Sequence, residues 1–200
     1  MNETAFQPRF AALLTLLLAL LLGGCGGAPE APPLQGATMG GPLNLVSHEG
    51  RRVGEADFAG KYRLVYFGFT FCPDVCPTDL QTIAAGLRQF ERSDPDAAAR
   101  VQPIFVTVDP ARDTPEVLRP FVAAFHPRLI GLTGSEAEVA AVARDYGVFY
   151  ERAPVGSEGG YNVNHSQMVV LYGPQGEPIA IVPHDQGPGA VAAELARWVR

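Results

Sequence analysis

Residues 67–80 read FGFTFCPDVCPTDL. The apolar run Arg63–Phe69 leads into them, and its β-branched and aromatic residues read as a buried strand. Beyond them Pro77 and Thr78 open a helical pattern, with Leu80, Ile83, Ala84 and Leu87 on one face as far as about Phe90. Cys72 and Cys76 therefore stand where a buried strand hands over to a helix. From spacing alone, three uses are open: a disulfide staple, a redox pair, or part of a metal site.

Working outward, Leu43–Val46 and Val53 flank a turn and predict a small hairpin. Val101–Val108 predicts a second buried strand, and Leu129–Leu132 a short one. Thr114 followed by Pro115 predicts a helix start, with the helix running to about Phe125. Ser135–Tyr146 predicts another helix, stopped by Gly147. Gln167–Tyr172 and Pro178–Val182 predict strands joined by the turn Gly173–Gly176, and Gly189–Arg200 a closing helix. Strands and helices alternate through most of this order, which predicts a layered α/β domain. A cysteine pair at the end of a buried strand makes the expected fold thioredoxin-like, a central mixed sheet flanked by helices.

The N-terminus reads differently. Arg9 precedes the apolar stretch Ala11–Leu22, then Gly23, Gly24 and Cys25. That stretch falls short of the roughly 20 residues of a spanning helix and has the form of an export signal. Leu22–Cys25 resembles a bacterial lipobox. The expected organisation is a lipoprotein-type signal peptide over 1–24, lipid on Cys25, a flexible Gly/Pro/Ala linker over 25–42 and a folded domain over 43–200. This predicts an extracytoplasmic, periplasmic-side chain anchored to a membrane. The net charge of −6 and the scattered basic residues argue against nucleic acid as a partner.

With Cys25 assigned to lipid, one of the chain's 3 cysteines is accounted for and Cys72 and Cys76 remain. A disulfide closing so short a loop stabilises little. At a helix N-terminus the macrodipole favours thiolate, the form that attacks disulfides and binds metal. Two thiolates are a soft, incomplete ligand set that suits copper, and an added imidazole extends this to Cu(II). A zinc site of four cysteines, or of three and one histidine, is excluded within the chain. Of the 4 histidines, His48 falls in a turn, His126 at a helix end, His184 in a loop, and His165 directly before a buried strand.

Gly68–Pro77, Val108–Pro115 (VDPARDTP) and His165-Ser166 followed by Leu171–Gly176 resemble, in order, the motifs of the SCO/SenC family. The resemblance covers roughly Leu43 to Arg200. It implies a thioredoxin-like domain that binds one copper, Cu(I) or Cu(II), and helps assemble the dinuclear copper site of cytochrome c oxidase. The implied ligands are Cys72, Cys76 and His165. The implied partners are the copper-bearing subunit of the oxidase or another copper chaperone, with the chain itself a monomer. Asn164 stands where the family usually has Asp, so that position keeps its size and loses its charge. Asp109 is expected near the site, where it could orient the loop or tune a thiolate. Asp113 has the simpler expectation of supporting a helix start.

A metallochaperone is not an enzyme in the strict sense. The competing reading is a membrane-tethered thiol–disulfide reductase using the redox pair Cys72 and Cys76, for which His165 is dispensable. The extra residue between the cysteines and the lack of a proline at 162–168 count against it. A thiol peroxidase ranks last, because both thiols sit in one short motif.

Overall fold

The computed structural model describes residues 30–73, 75–155 and 160–200. Leu45–Ser47 (β1) and Arg52–Val53 (β2) form the small hairpin. Tyr62–Gly68 (β3) feeds Val75–Ser93 (α1) and the short Pro95–Ala99 (α2), then Val101–Thr107 (β4). Pro115–Phe125 (α3), Ile130–Thr133 (β5) and Glu136–Asp145 (α4) follow. Tyr150–Val155 (β6) and Gly160–His165 (β7) come next, then Val169–Tyr172 (β8), Pro178–Ile181 (β9) and Pro188–Trp198 (α5).

Seven strands make one sheet in the order β2-β1-β5-β4-β3-β8-β9. The pairs β3–β4 and β4–β5 are parallel, and the others are antiparallel. The fold is thioredoxin-like: a mixed central sheet flanked by helices. Strand β3 lies inside it, and all seven of its residues are buried, which explains its apolar run from Leu64 onward. Its one charged residue, Arg63, reaches Glu55 at 2.9 Å. Helix α1 buries Cys76, Leu80, Ile83, Ala84, Leu87 and Phe90 along one stripe. Thr114 caps α3, and Ser135 caps α4 in a reciprocal box with Glu138.

Three features add to or depart from what the sequence predicts. First, among the described residues β6 and β7 pair only with each other, in a second sheet of two strands. No sequence signal assigns an element to this stretch. Second, the segment expected to be a flexible linker is fastened to the domain over its later part. Leu34 N–H donates to the Ile179 carbonyl at 3.0 Å, and Gly40 N–H to that of Asp145 at 2.7 Å. The Tyr146 hydroxyl donates to the Gly41 carbonyl at 2.8 Å. Gly40 has φ 106°, and a Cβ there would stand 2.7 Å from the Tyr172 ring. Its glycine serves close packing, and composition alone cannot tell that from flexibility. Third, His126 does stand at the end of α3, as its place in the sequence predicts, but it is buried, with Nε2 3.4 Å from Glu91. The assigned signal and Cys25 lie outside the described residues. No helix among those residues is long and apolar enough to cross a membrane.

Candidate metal centre

Strand β3 ends at Gly68, and the chain turns through Phe69–Pro73 before α1 begins at Val75. The helix thus starts two residues earlier than Pro77, and Cys76 falls in its first turn. Cys72 stays outside the helix and its sulfur accepts the Cys76 N–H at 3.3 Å, as a capping side chain would. Cys72 is half-buried and lines an open cleft of about 330 Å³, whereas Cys76 is fully buried; both are free thiols. Gly68 makes room for the buried sulfur, since a Cβ there would lie 3.1 Å from Cys76 Sγ.

His165 ends β7, opposite Tyr150 of β6. Its Nε2 is 3.2 Å from Cys76 Sγ. Its Nδ1 is 2.9 Å from the Ser166 carbonyl oxygen. A carbonyl can only accept, so Nδ1 carries the proton and Nε2 presents its lone pair toward the thiol. The rings of Phe69 and Tyr66 meet the imidazole edge-on, with centroids at 5.9 and 6.3 Å.

Electrostatics correct one expectation here. Burial pushes the Cys76 thiol up to about 12, and it outweighs a lowering hydrogen bond from the Phe69 backbone. The helix start was expected to favour thiolate; in the dry interior desolvation wins. Without metal, Cys76 is a neutral thiol at neutral pH.

The structure brings Cys76 and His165 together. Cys72 sits beside them but turns its sulfur to the Cys76 backbone, and no three ligand-type side chains converge on one point among the described residues. Two soft sulfurs and an unprotonated imidazole nitrogen at one cleft nevertheless match the donor chemistry of copper. Asp109 is fully buried and takes the Tyr161 hydroxyl at 2.8 Å; Arg112 binds its other oxygen. Asn164 is exposed on the cleft wall. Asp113 does more than support a helix start: fully buried, it accepts from Thr70 N at 3.0 Å, Thr70 Oγ1 at 2.5 Å and Thr107 Oγ1 at 2.6 Å. It thereby ties down the loop that carries Cys72.

Sequence reading missed the group behind the site. Tyr66, on β3, donates to Asp79 Oδ2 at 2.8 Å, and His184 Nε2 lies 3.4 Å from the same oxygen. Burial, followed by the nearby Cys76 and Asp79, holds the Tyr66 hydroxyl far above its ordinary range. A tyrosine inside the apolar run Leu64–Phe67 was the available signal, because a buried phenol needs a partner.

Together the fold and site define a thioredoxin-like domain that joins a Cys-x-x-x-C thiol pair to an imidazole brought from a separate hairpin. The chain belongs to the SCO1/SenC family, whose model matches residues 31–200. It is 41% identical to the mitochondrial protein SCO2 homolog of Bos taurus, over 85% of this chain and 70% of that one. It is 38% identical to the mitochondrial protein SCO1 homolog of Homo sapiens, over 81% of this chain and 53% of that one. The chain thus spans between about half and 70% of these relatives. Among solved structures it is similar to Bradyrhizobium japonicum ScoI with copper bound, with a TM-score of 0.72 and 36% identity, covering 80% of this chain and 99% of that one. These relatives also correct the expected location. The curated relatives named above, and the SCO2 proteins of Homo sapiens and Saccharomyces cerevisiae that the chain also resembles, are mitochondrial, so the periplasmic, lipid-anchored placement read from Leu22–Cys25 is not kept.

Proposed function

We propose that this chain binds one copper ion through Cys72, Cys76 and His165 and serves in the assembly of the copper sites of cytochrome c oxidase. Copper is its cargo, and the oxidase subunit that carries copper is the proposed acceptor. The observation that carries the reading is the approach of His165 Nε2 to Cys76 Sγ, 3.2 Å apart, with the imidazole tautomer already set for ligation. The copper-bound ScoI relative and the family resemblance support it. Cys76 is buried and Cys72 faces the cleft, so an incoming ion meets Cys72 first. The protein's part is to hold the imidazole lone pair beside the buried Cys76 sulfur and to give up the Cys76 proton as metal arrives. The test is copper retained by the reduced full chain after desalting without oxygen. One copper per chain is expected for the parent and a large loss for Cys76→Ser; equal retention by both refutes the reading.

Thiol–disulfide exchange is a second reading, favoured by one observation. Cys72 is reachable from the cleft while Cys76 lies buried beneath it, the placing of an attacking and a resolving thiol. It needs both cysteines and not His165. Reduction of a model disulfide at an equal rate by the parent and His165→Ala supports exchange; no reduction by the parent removes it.

A further inference from the structure

The two halves of the site come from different sheets. The cysteine loop leaves β3 of the larger sheet, while His165 ends β7, which shares no backbone pairing with that sheet. Something other than strand pairing must hold the histidine hairpin against the cysteine loop. Arg112, in the turn after β4, touches both. Its Nε donates to Asp109, and another guanidinium nitrogen to the Tyr161 carbonyl at 3.1 Å. Its guanidinium carbon stands 3.9 Å from the centre of the Tyr161 ring, 5.0 Å from that of Phe71 and 5.8 Å from that of Phe69. Asp109 closes the loop by accepting the Tyr161 hydroxyl at 2.8 Å. Tyr161 is therefore gripped at its carbonyl, ring and hydroxyl by one ion pair. It lies four residues before His165 on the same strand, hence on the same face. Phe71 directly precedes Cys72. The remaining terminal nitrogen of Arg112 is buried with no hydrogen-bond acceptor among the described residues. Aromatic faces surround the guanidinium there, and cation–π attraction offsets part of that deficit.

We propose that Arg112 is a positioning residue that clasps the His165 hairpin onto the cysteine loop through Tyr161, so that the imidazole is in place before metal arrives. The clasp itself is a property of the metal-free chain. Its consequence for copper rests on the function proposed above. Without the clasp, β6 and β7 stay paired but the hairpin swings away, leaving copper to the two sulfurs.

The test uses the reduced, metal-free full chain and NMR contacts between the His165 ring and the rings of Phe69 and Tyr66. The parent should show both contacts. Arg112→Gln should lose them, with the imidazole resonances moving toward those of a free histidine, while contacts between β3 and β4 persist. Arg112→Lys, which keeps the charge on Asp109, should recover part of them. Unchanged ring contacts in Arg112→Gln overturn the proposal. Loss of the β3–β4 contacts in step with them is general unfolding and passes the decision to a second variant. If Arg112→Gln does not fold, Tyr161→Phe decides: it keeps the ring and removes only the hydroxyl bond to Asp109. Weakened His165 contacts then uphold the clasp, and unchanged ones overturn it. A second arm adds one equivalent of Cu(II). Arg112→Gln should still bind copper, but a smaller fraction should show nitrogen coupling by electron paramagnetic resonance. If the parent binds no copper, the metal site fails while the ring contacts still decide the clasp.

Discussion

The sulfur of Cys76 and the Nε2 of His165 lie 3.2 Å apart, although 89 positions separate the two residues in the chain. One sits in the first turn of α1 and the other at the end of β7, and the cleft is where they meet. Room for this approach depends on Gly68. A Cβ there would press on Cys76 Sγ at 3.1 Å, the Phe105 ring at 3.0 Å and the Tyr66 ring at 3.2 Å. Gly68→Ala should displace the buried sulfur, destabilise the fold by about 1–3 kcal/mol, and weaken copper binding about tenfold. Urea unfolding and competition with a copper chelator measure the two effects.

Copper binding should release protons. The Cys76 thiol, pushed up to about 12 by burial, holds its proton at pH 7 and must lose it on ligation. Calorimetry in buffers of different ionisation enthalpy should find about one proton or more released per copper. Cys76→Ser should remove that release along with tight binding. Proton-neutral binding by the parent would contradict the assignment of Cys76.

Asp113 is a structural anchor for the cysteine loop. Asp113→Ala leaves the Thr70 N–H and the hydroxyls of Thr70 and Thr107 without their acceptor. The expected cost is about 3 kcal/mol, read by urea unfolding of the metal-free chain. Asp113→Asn keeps one acceptor oxygen and should cost less.

The pair His126 and Glu91, remote from the metal site, should set part of the acid sensitivity. Burial holds the His126 imidazole below its ordinary value, and Arg128 and His126 hold the Glu91 carboxyl low. On unfolding, His126 takes up a proton near pH 6.5 that the folded chain refuses. Stability from this group is therefore complete above about pH 6.5 and lost as the pH falls below it. The parent should lose stability as the pH falls below about 6.5, and His126→Gln should show a flatter slope there in unfolding experiments.

Much of this was legible in the sequence because it is carried by local signals. The buried run of β3, the apolar stripe of α1, and Thr114 and Ser135 as caps follow from periodicity and side-chain chemistry. The hairpin that delivers His165 was not legible. In Tyr150–Val155 and Gly160–His165 polar residues and Pro154 dilute any alternation, and the hairpin pairs with no buried strand. The short helix α2 did carry a signal, since Asp94 before Pro95 is a good helix start. The neutrality of Cys76 was hidden for another reason. Spacing placed it at a helix start, but only the packing of Gly68 and Tyr66 shows that desolvation outweighs the helix dipole. The clasp at Arg112 was half legible: Asp109 three residues before it and Asp113 beside it offer a carboxylate partner, and the Tyr161 side of it depends on the unseen hairpin.

The most direct measurement is the visible spectrum of the reduced full chain with one equivalent of Cu(II), compared with that of His165→Ala. Strong sulfur-to-copper charge-transfer bands at one copper per chain are expected in the parent, weakened or lost in His165→Ala. Absence of such bands, or a spectrum indifferent to His165, would contradict the proposed copper site.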